Sequence, residues 1–236
     1  MLLGLGRKPL YNQRVFGSLV MIKESKAIQG LFKFFFPIVV GLSTVGIVGF
    51  LLEESLRISY WGFISGYFFP PLGKESIIPA GVALGINPLV MGLSIAFVDI
   101  IVALFLVWNY DLAKKIPFIG TFMITIETKG KNVEERYGWI KPLRFIGIVL
   151  FVMIPFQGSG GLVGSIVGRL IGMKPRNTFY AIALGAIIGT LLIAAFSKAF
   201  LIFAKINTTL TLVLLASIVI LVLIYYLYKR RKKIRS

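Results

Sequence analysis

The chain has 236 residues, of which 57% are hydrophobic and only 15% charged, too apolar a balance for a water-soluble domain. Its 26 Lys+Arg against 9 Asp+Glu give a formal charge of +17, a basic excess that in a membrane protein marks cytoplasmic loops and anionic lipid headgroups before nucleic acid. The absence of cysteine and histidine removes disulfide frameworks, Cys/His metal sites and His-dependent triads, so no cofactor or metal is expected.

Arg7 and Lys8 lead into a polar, basic stretch instead of a short apolar core with a cleavage site, so no signal peptide is expected. Residues 1–30 read as a cytoplasmic N-terminal arm, with apolar Val15, Phe16, Leu19, Val20 and Ile22 set against Arg14, Lys23 and Lys26. That pattern suits an amphipathic helix on the inner membrane surface, or a disordered basic arm. Residues 31–52 are apolar enough to span the bilayer, and the membrane domain is expected over 31–228.

The next apolar segment is interrupted. About 12 residues from Ile58 to Phe69, or about 18 Å of helix, cannot cross about 30 Å of hydrocarbon before Pro70, Pro71 and Gly73 break the hydrogen-bond ladder. A short helix over 76–84 follows, closed by Gly85 and an Asn87–Pro88 turn. Leu89 to Trp108 is then a full span, with Trp108 and Tyr110 at its inner interface, and 109–141 is a cytoplasmic loop in which Asn132 and Glu135 match a capping-box variant.

The interruption recurs. Residues 143–154 are again too short to span and are broken at Pro155 and at Gly158, Ser159, Gly160 and Gly161, before a short helix returns the chain to Lys174 and Arg176. Asn177 to Lys198 and Thr208 to Tyr228 complete the spans, and 229–236 is a basic cytoplasmic tail. The proline intervals differ, 17 positions from Pro71 to Pro88 and 20 from Pro155 to Pro175, so the repeat reads as approximate.

The expected fold is therefore an all-α integral membrane protein of the cell membrane, multi-pass, with both termini cytoplasmic. It has four full spans plus two opposed re-entrant helical hairpins, about 58–86 and 142–172, forming an inverted-topology repeat. Paired interrupted segments of this kind point to a transporter's substrate site.

Asp99 is the costliest residue, placed midway along an apolar span, where it either handles a proton or ion or fastens two helices. Gly92, Ala96 and Ala103 share its side, so that side is expected to pack on a neighbour. Glu75 opens the first returning half-helix, as a cap or as a second ion-coupling carboxylate, and Lys74 beside it either pairs with it or binds an anion. In the second break Gln157, Gly158, Ser159, Gly160 and Gly161 offer an amide side chain and backbone N–H groups to a substrate, or simply permit the reversal. Gly160, Gly164, Gly168 and Gly172 form a smooth ladder best explained by packing, and Arg169 beside it either snorkels to headgroups or binds an anionic substrate.

Pro-Leu-Gly-Lys-Glu-Ser at 71–76 and Pro-Phe-Gln-Gly-Ser-Gly-Gly at 155–161, followed by the glycine-spaced helix, resemble the small multidrug export family over about residues 60–200. That family is similar to the wider DedA and VTT membrane proteins. The resemblance implies a proton- or sodium-coupled transporter with opposed hairpins, and in the DedA branch a polyprenyl-phosphate lipid carrier as cargo. It matches Glu75 to the first hairpin's acid and Arg169 to one of several arginines of the second.

The leading expectation is an ion-coupled secondary transporter, with Glu75 and Asp99 for coupling and Lys74, Arg169 and residues 157–161 for an anionic lipid headgroup. A lipophilic-drug exporter and a non-transporting structural protein are the alternatives. An enzyme is not expected, the one arrangement left open being Ser159 with Lys74. Expected partners are membrane lipids, including anionic headgroups, and a small-molecule or lipid substrate, not nucleic acid; a homo-oligomer is compatible with the sequence.

Overall fold

The computed structural model describes residues 10–69, 72–113, 140–156, 159–213, 216–217, 220–221 and 224–225. All regular structure among them is helical: α1 (Leu10–Leu51), α2 (Glu54–Gly66), α3 (Lys74–Ala83), α4 (Pro88–Ala113), α5 (Ile140–Met153), α6 (Gly161–Leu170) and α7 (Pro175–Ile206), with helical residues resuming at 208. Three segments, Ile28–Leu51, Pro88–Tyr110 and Pro175–Ile206, are long and apolar enough to cross a bilayer. The fourth expected span, 208–228, falls partly outside the described residues, and the capping box at Asn132 and Glu135 wholly so.

α1 runs without interruption from Leu10 to Leu51, so the expected amphipathic stretch and the apolar segment Ile28–Leu51 belong to one helix. Pro37 lies inside it and has no N–H to give the carbonyl of Lys33, four residues earlier. Asn109 of α4 supplies the missing donor, its Nδ2 standing 3.0 Å from the Lys33 oxygen. The proline is thus accommodated by a cross-helix hydrogen bond, which also fixes α1 against α4.

The two interrupted regions are built to one plan in one register. α2 and α5 are 13 and 14 residues long, α3 and α6 are 10 each, and none reaches the length of a span. Helix ends correspond at a fixed offset: Gly66 with Met153, Lys74 with Gly161, Ala83 with Leu170 and Pro88 with Pro175, each pair 87 positions apart. The proline spacing in the breaks suggested only an approximate repeat. The register is carried instead by helix ends, where backbone geometry restricts the residue.

Those ends show why. α3 closes with Gly85 at φ +100 and α6 with Gly172 at φ +81, a left-handed conformation costly for residues with a Cβ. In each case the next residue's N–H reaches back five positions, Ile86 to the Gly81 carbonyl at 3.0 Å and Met173 to the Gly168 carbonyl at 3.0 Å. These are Schellman closures, and each is followed by the proline that opens the next long helix. Gly172 therefore belongs to a turn, whereas Gly164 and Gly168 serve packing: Cβ atoms there would approach Val152 Cγ2 to 2.8 Å and Thr178 Cγ2 to 2.6 Å.

Each unit has its own apolar cluster, one around Tyr60, Ile77, Ile78, Met91 and Ile95, the other around Ile148, Val152, Ala181, Ile182 and Ala186. Each also borrows from the other unit's long helix. Ala194 joins Met91 and Ile95, while Ala96 and Ala103 join Ala181 and Ile182, so α4 and α7 run antiparallel. A Cβ on Gly92 would stand 3.1 Å from Ala194 Cβ, so the expected small-residue side of α4 does pack on a helix. α5 meets α7 as closely: Cβ atoms on Gly185 and Gly189 would lie 2.5 Å and 2.6 Å from the carbonyl oxygens of Val149 and Met153.

Candidate functional site

The middle of α4 meets the start of α6. A Cβ on Gly161 would run into the main-chain carbonyl of Asp99, so glycine is what lets the N-terminus of α6 touch α4. At this contact the Gly161 N–H donates to Asp99 Oδ1 at 2.7 Å, satisfying one of the free amides that every helix start leaves open. The Tyr67 hydroxyl, from the break after α2, donates to the same oxygen at 2.9 Å. Asp99 is 2% exposed, and its other oxygen, Oδ2, is buried with no hydrogen-bond partner among the described residues.

Lys74, the first residue of α3, is 1% exposed, and its ammonium donates to the main-chain carbonyl of Val152 in the last turn of α5. It acts electrostatically with Asp99 and with Glu75, although no ion pair joins it to either carboxylate among the described residues. Tyr67, Gly73, Lys74, Asp99, Gly160 and Gly161 line one cavity of about 280 Å³. A second, apolar cavity of about 390 Å³ between α1 and α4 shares Phe68, Val102 and Leu162 with it, so the cavity holding Lys74 and Asp99 adjoins an apolar one.

Two buried groups of opposite charge beside a cavity are costly in a helical bundle inserted in lipid. The protein offsets part of that cost with main-chain partners, a helix-start N–H for Asp99 and a helix-end carbonyl for Lys74. Each interaction links the first unit to the second. The chemistry, however, sits in the first: at the positions 87 residues on from Tyr67, Lys74 and Asp99 the second unit has Ile154, Gly161 and Ala186.

The expected site residues are only partly brought together. Glu75 stands in the first turn of α3 with its carboxylate folded beside Gly73, and its Oε2 is buried without a hydrogen-bond partner among the described residues. The Gly73 N–H donates to Ser76 Oγ at 3.2 Å and not to Glu75, whose carboxylate stays in the first turn, where the helix dipole favours an acid. Gly160 and Gly161 reach the cavity, but the Gly161 amide expected to meet an anionic substrate is taken by the protein's own carboxylate. Ser159 is buried and its hydroxyl donates to the Ile154 carbonyl at 2.7 Å, a different partner from that of Lys74, so the serine–lysine arrangement is not formed. Gln157 and Gly158 lie outside the described residues.

Arg169 lies apart from this cavity. It is eight residues beyond Gly161, about 12 Å along α6. Its guanidinium stands 4.7 Å from the centre of the Tyr110 ring and donates to the Met173 carbonyl at 2.8 Å. A cation at a helix C-terminus, covering an aromatic face, is well placed for stability without a substrate. Tyr67 is the residue that sequence reasoning missed; its one signal was a hydroxyl next to the double proline, at the end of a half-helix.

No curated protein and no solved structure matches the chain. Residues 76–192, which contain Asp99, Gly160 and Gly161 but begin just after Tyr67, Lys74 and Glu75, match the profile of the family described as "Putative small multi-drug export protein". With three helices of membrane-spanning length among the described residues, the chain is a multi-pass membrane protein, and just under half of it, residues 76–192, is similar to that family.

Proposed function

We propose that the protein is an ion-coupled secondary transporter that exports a lipophilic small molecule, with Asp99 as the coupling carboxylate. The observation that carries this reading is the buried Oδ2 of Asp99, unpartnered among the described residues, on a residue that lines a cavity together with Lys74 and Tyr67. A carboxylate at that depth persists when it exchanges a proton or cation. The adjoining apolar space between α1 and α4 gives a lipophilic cargo a place beside the ion site. Glu75, close to Lys74 in charge interaction, is the second candidate for coupling.

The units containing α2–α3–α4 and α5–α6–α7 act in this reading as opposed re-entrant hairpins, each followed by a span. Their shared register and the antiparallel course of α4 and α7 support an inverted-topology repeat, in which alternating exposure of the two breaks gives access from each side. The lysines and arginines between α4 and α5 and near residue 230 support a reading in which both termini are cytoplasmic and the protein sits in the cell membrane.

A second cargo, an anionic lipid carrier such as a polyprenyl phosphate, is favoured by one observation, the Lys74 ammonium at the cavity. Proteoliposomes enclosing a pH-sensitive dye separate the two when ethidium or a fluorescent prenyl phosphate is added outside. The expected result is ethidium-driven proton flux that falls at least about tenfold in Asp99→Asn. Wild-type flux in Asp99→Asn would remove its coupling role, with a loss in Glu75→Gln then moving that role to Glu75, and flux driven by the prenyl phosphate alone would establish the second cargo.

A further inference from the structure

Resting on the reading of Asp99 as the coupling carboxylate, we infer that Tyr67 is the positioning residue that decides which of its oxygens is available. Oδ1 accepts two hydrogen bonds, from the Tyr67 hydroxyl at 2.9 Å and the Gly161 N–H at 2.7 Å, and Oδ2 accepts none among the described residues. An acidic group with one oxygen doubly engaged presents the other to an arriving proton or cation. Of the two donors, the Gly161 amide is fixed by the start of α6, whereas Tyr67 belongs to the break between α2 and α3. Its hydroxyl ties the state of the carboxylate to the position of that break.

The surroundings are arranged for this bond. A Cβ at Gly160 would lie 2.7 Å from the Tyr67 hydroxyl and 2.6 Å from Asp99 Oδ1, so glycine at 160 clears the space in which the two groups meet. The Tyr67 backbone is held by its own N–H to the Phe63 carbonyl at 3.0 Å, which sets the ring at the end of α2. The charged group facing Asp99 is Lys74 of α3, and Glu75 of the same helix interacts with both Lys74 and Tyr67. Lys74 donates to the Val152 carbonyl. The residue of the second unit that corresponds to Tyr67 is Ile154, with no hydroxyl to offer, and Ala186, which corresponds to Asp99, offers no carboxylate to position.

The test reads Asp99 directly and does not depend on transport. Dicyclohexylcarbodiimide attacks protonated carboxyls in apolar surroundings, and mass spectrometry of the Asp99 peptide gives the pH of half-maximal labelling in the full-length protein. Tyr67→Phe keeps the ring and removes the hydroxyl; Gly160→Ala keeps the hydroxyl and pushes a methyl group into the bond. Each is expected to displace the half-labelling pH by about one unit, the worth of a hydrogen bond to a charged group. The double variant is expected to displace it no further than the larger single change, because both remove one interaction. An unchanged midpoint in both single variants, or additive displacement in the double, overturns the inference while leaving the coupling role of Asp99 intact. Wild-type proton flux in Asp99→Asn overturns the coupling role instead.

Discussion

Asp99 was legible in the sequence because a lone acid within an apolar run has few reasons to persist in lipid. What it bonds to was not legible, since its partners are 32 residues earlier and 62 residues later in the chain. Tyr67 escaped notice for that reason: a hydroxyl beside a break has no fixed direction until the break is folded. Arg169 was undecided for the converse reason, as its place on α6 suits either the cavity or the helix end, and the Tyr110 ring and Met173 carbonyl hold it at the end. A residue-scale prediction follows from the contact between α4 and α6. Gly161→Ala would press a methyl group into the Asp99 carbonyl, at a cost of about 1–3 kcal/mol for overpacking. It should lower the thermal midpoint of the purified protein in detergent and weaken proton flux with it. A variant as stable and active as wild type would mean that the two helices are not in contact at that point.

At the scale of elements, the interruptions were readable from chain chemistry alone. Proline and glycine clusters located both breaks, and the helix ends fall within a few residues of the expected limits. The register was harder to see, because the prolines inside the breaks do not occupy matching positions. Glycine at a left-handed helix end is the more constrained landmark, and Gly85 and Gly172 are the pair that fixes the 87-residue offset. Replacing either by alanine should cost about 1 kcal/mol through the positive φ, with little direct steric cost at Gly85, where a Cβ would meet nothing within 4 Å. Thermal unfolding of Gly85→Ala that matches wild type would show that the turn is not left-handed.

For the whole molecule, the membrane class came from composition, and the family from short motifs around the two breaks, now supported by the match over residues 76–192. The orientation in the bilayer came from the distribution of lysine and arginine, which helix packing by itself does not address. Because the chain has no cysteine, single introduced cysteines report sidedness without a background. Glu53, which ends the first apolar segment opposite its basic N-terminal side, is expected outside, so Glu53→Cys should react with a membrane-impermeant maleimide in intact cells, and Arg176→Cys only after permeabilisation. Labelling of both from the same side would contradict the proposed opposed arrangement of the two units.

In the proposed function, one buried carboxylate with lysine, tyrosine and a helix-start amide around it couples ion movement to export. The most direct measurement is ethidium-driven proton flux in proteoliposomes containing wild type or Asp99→Asn, with the folded fraction of each matched by size-exclusion chromatography. The account predicts flux in the wild type and a loss of at least about tenfold in the variant. Equal flux from the two proteins would contradict it.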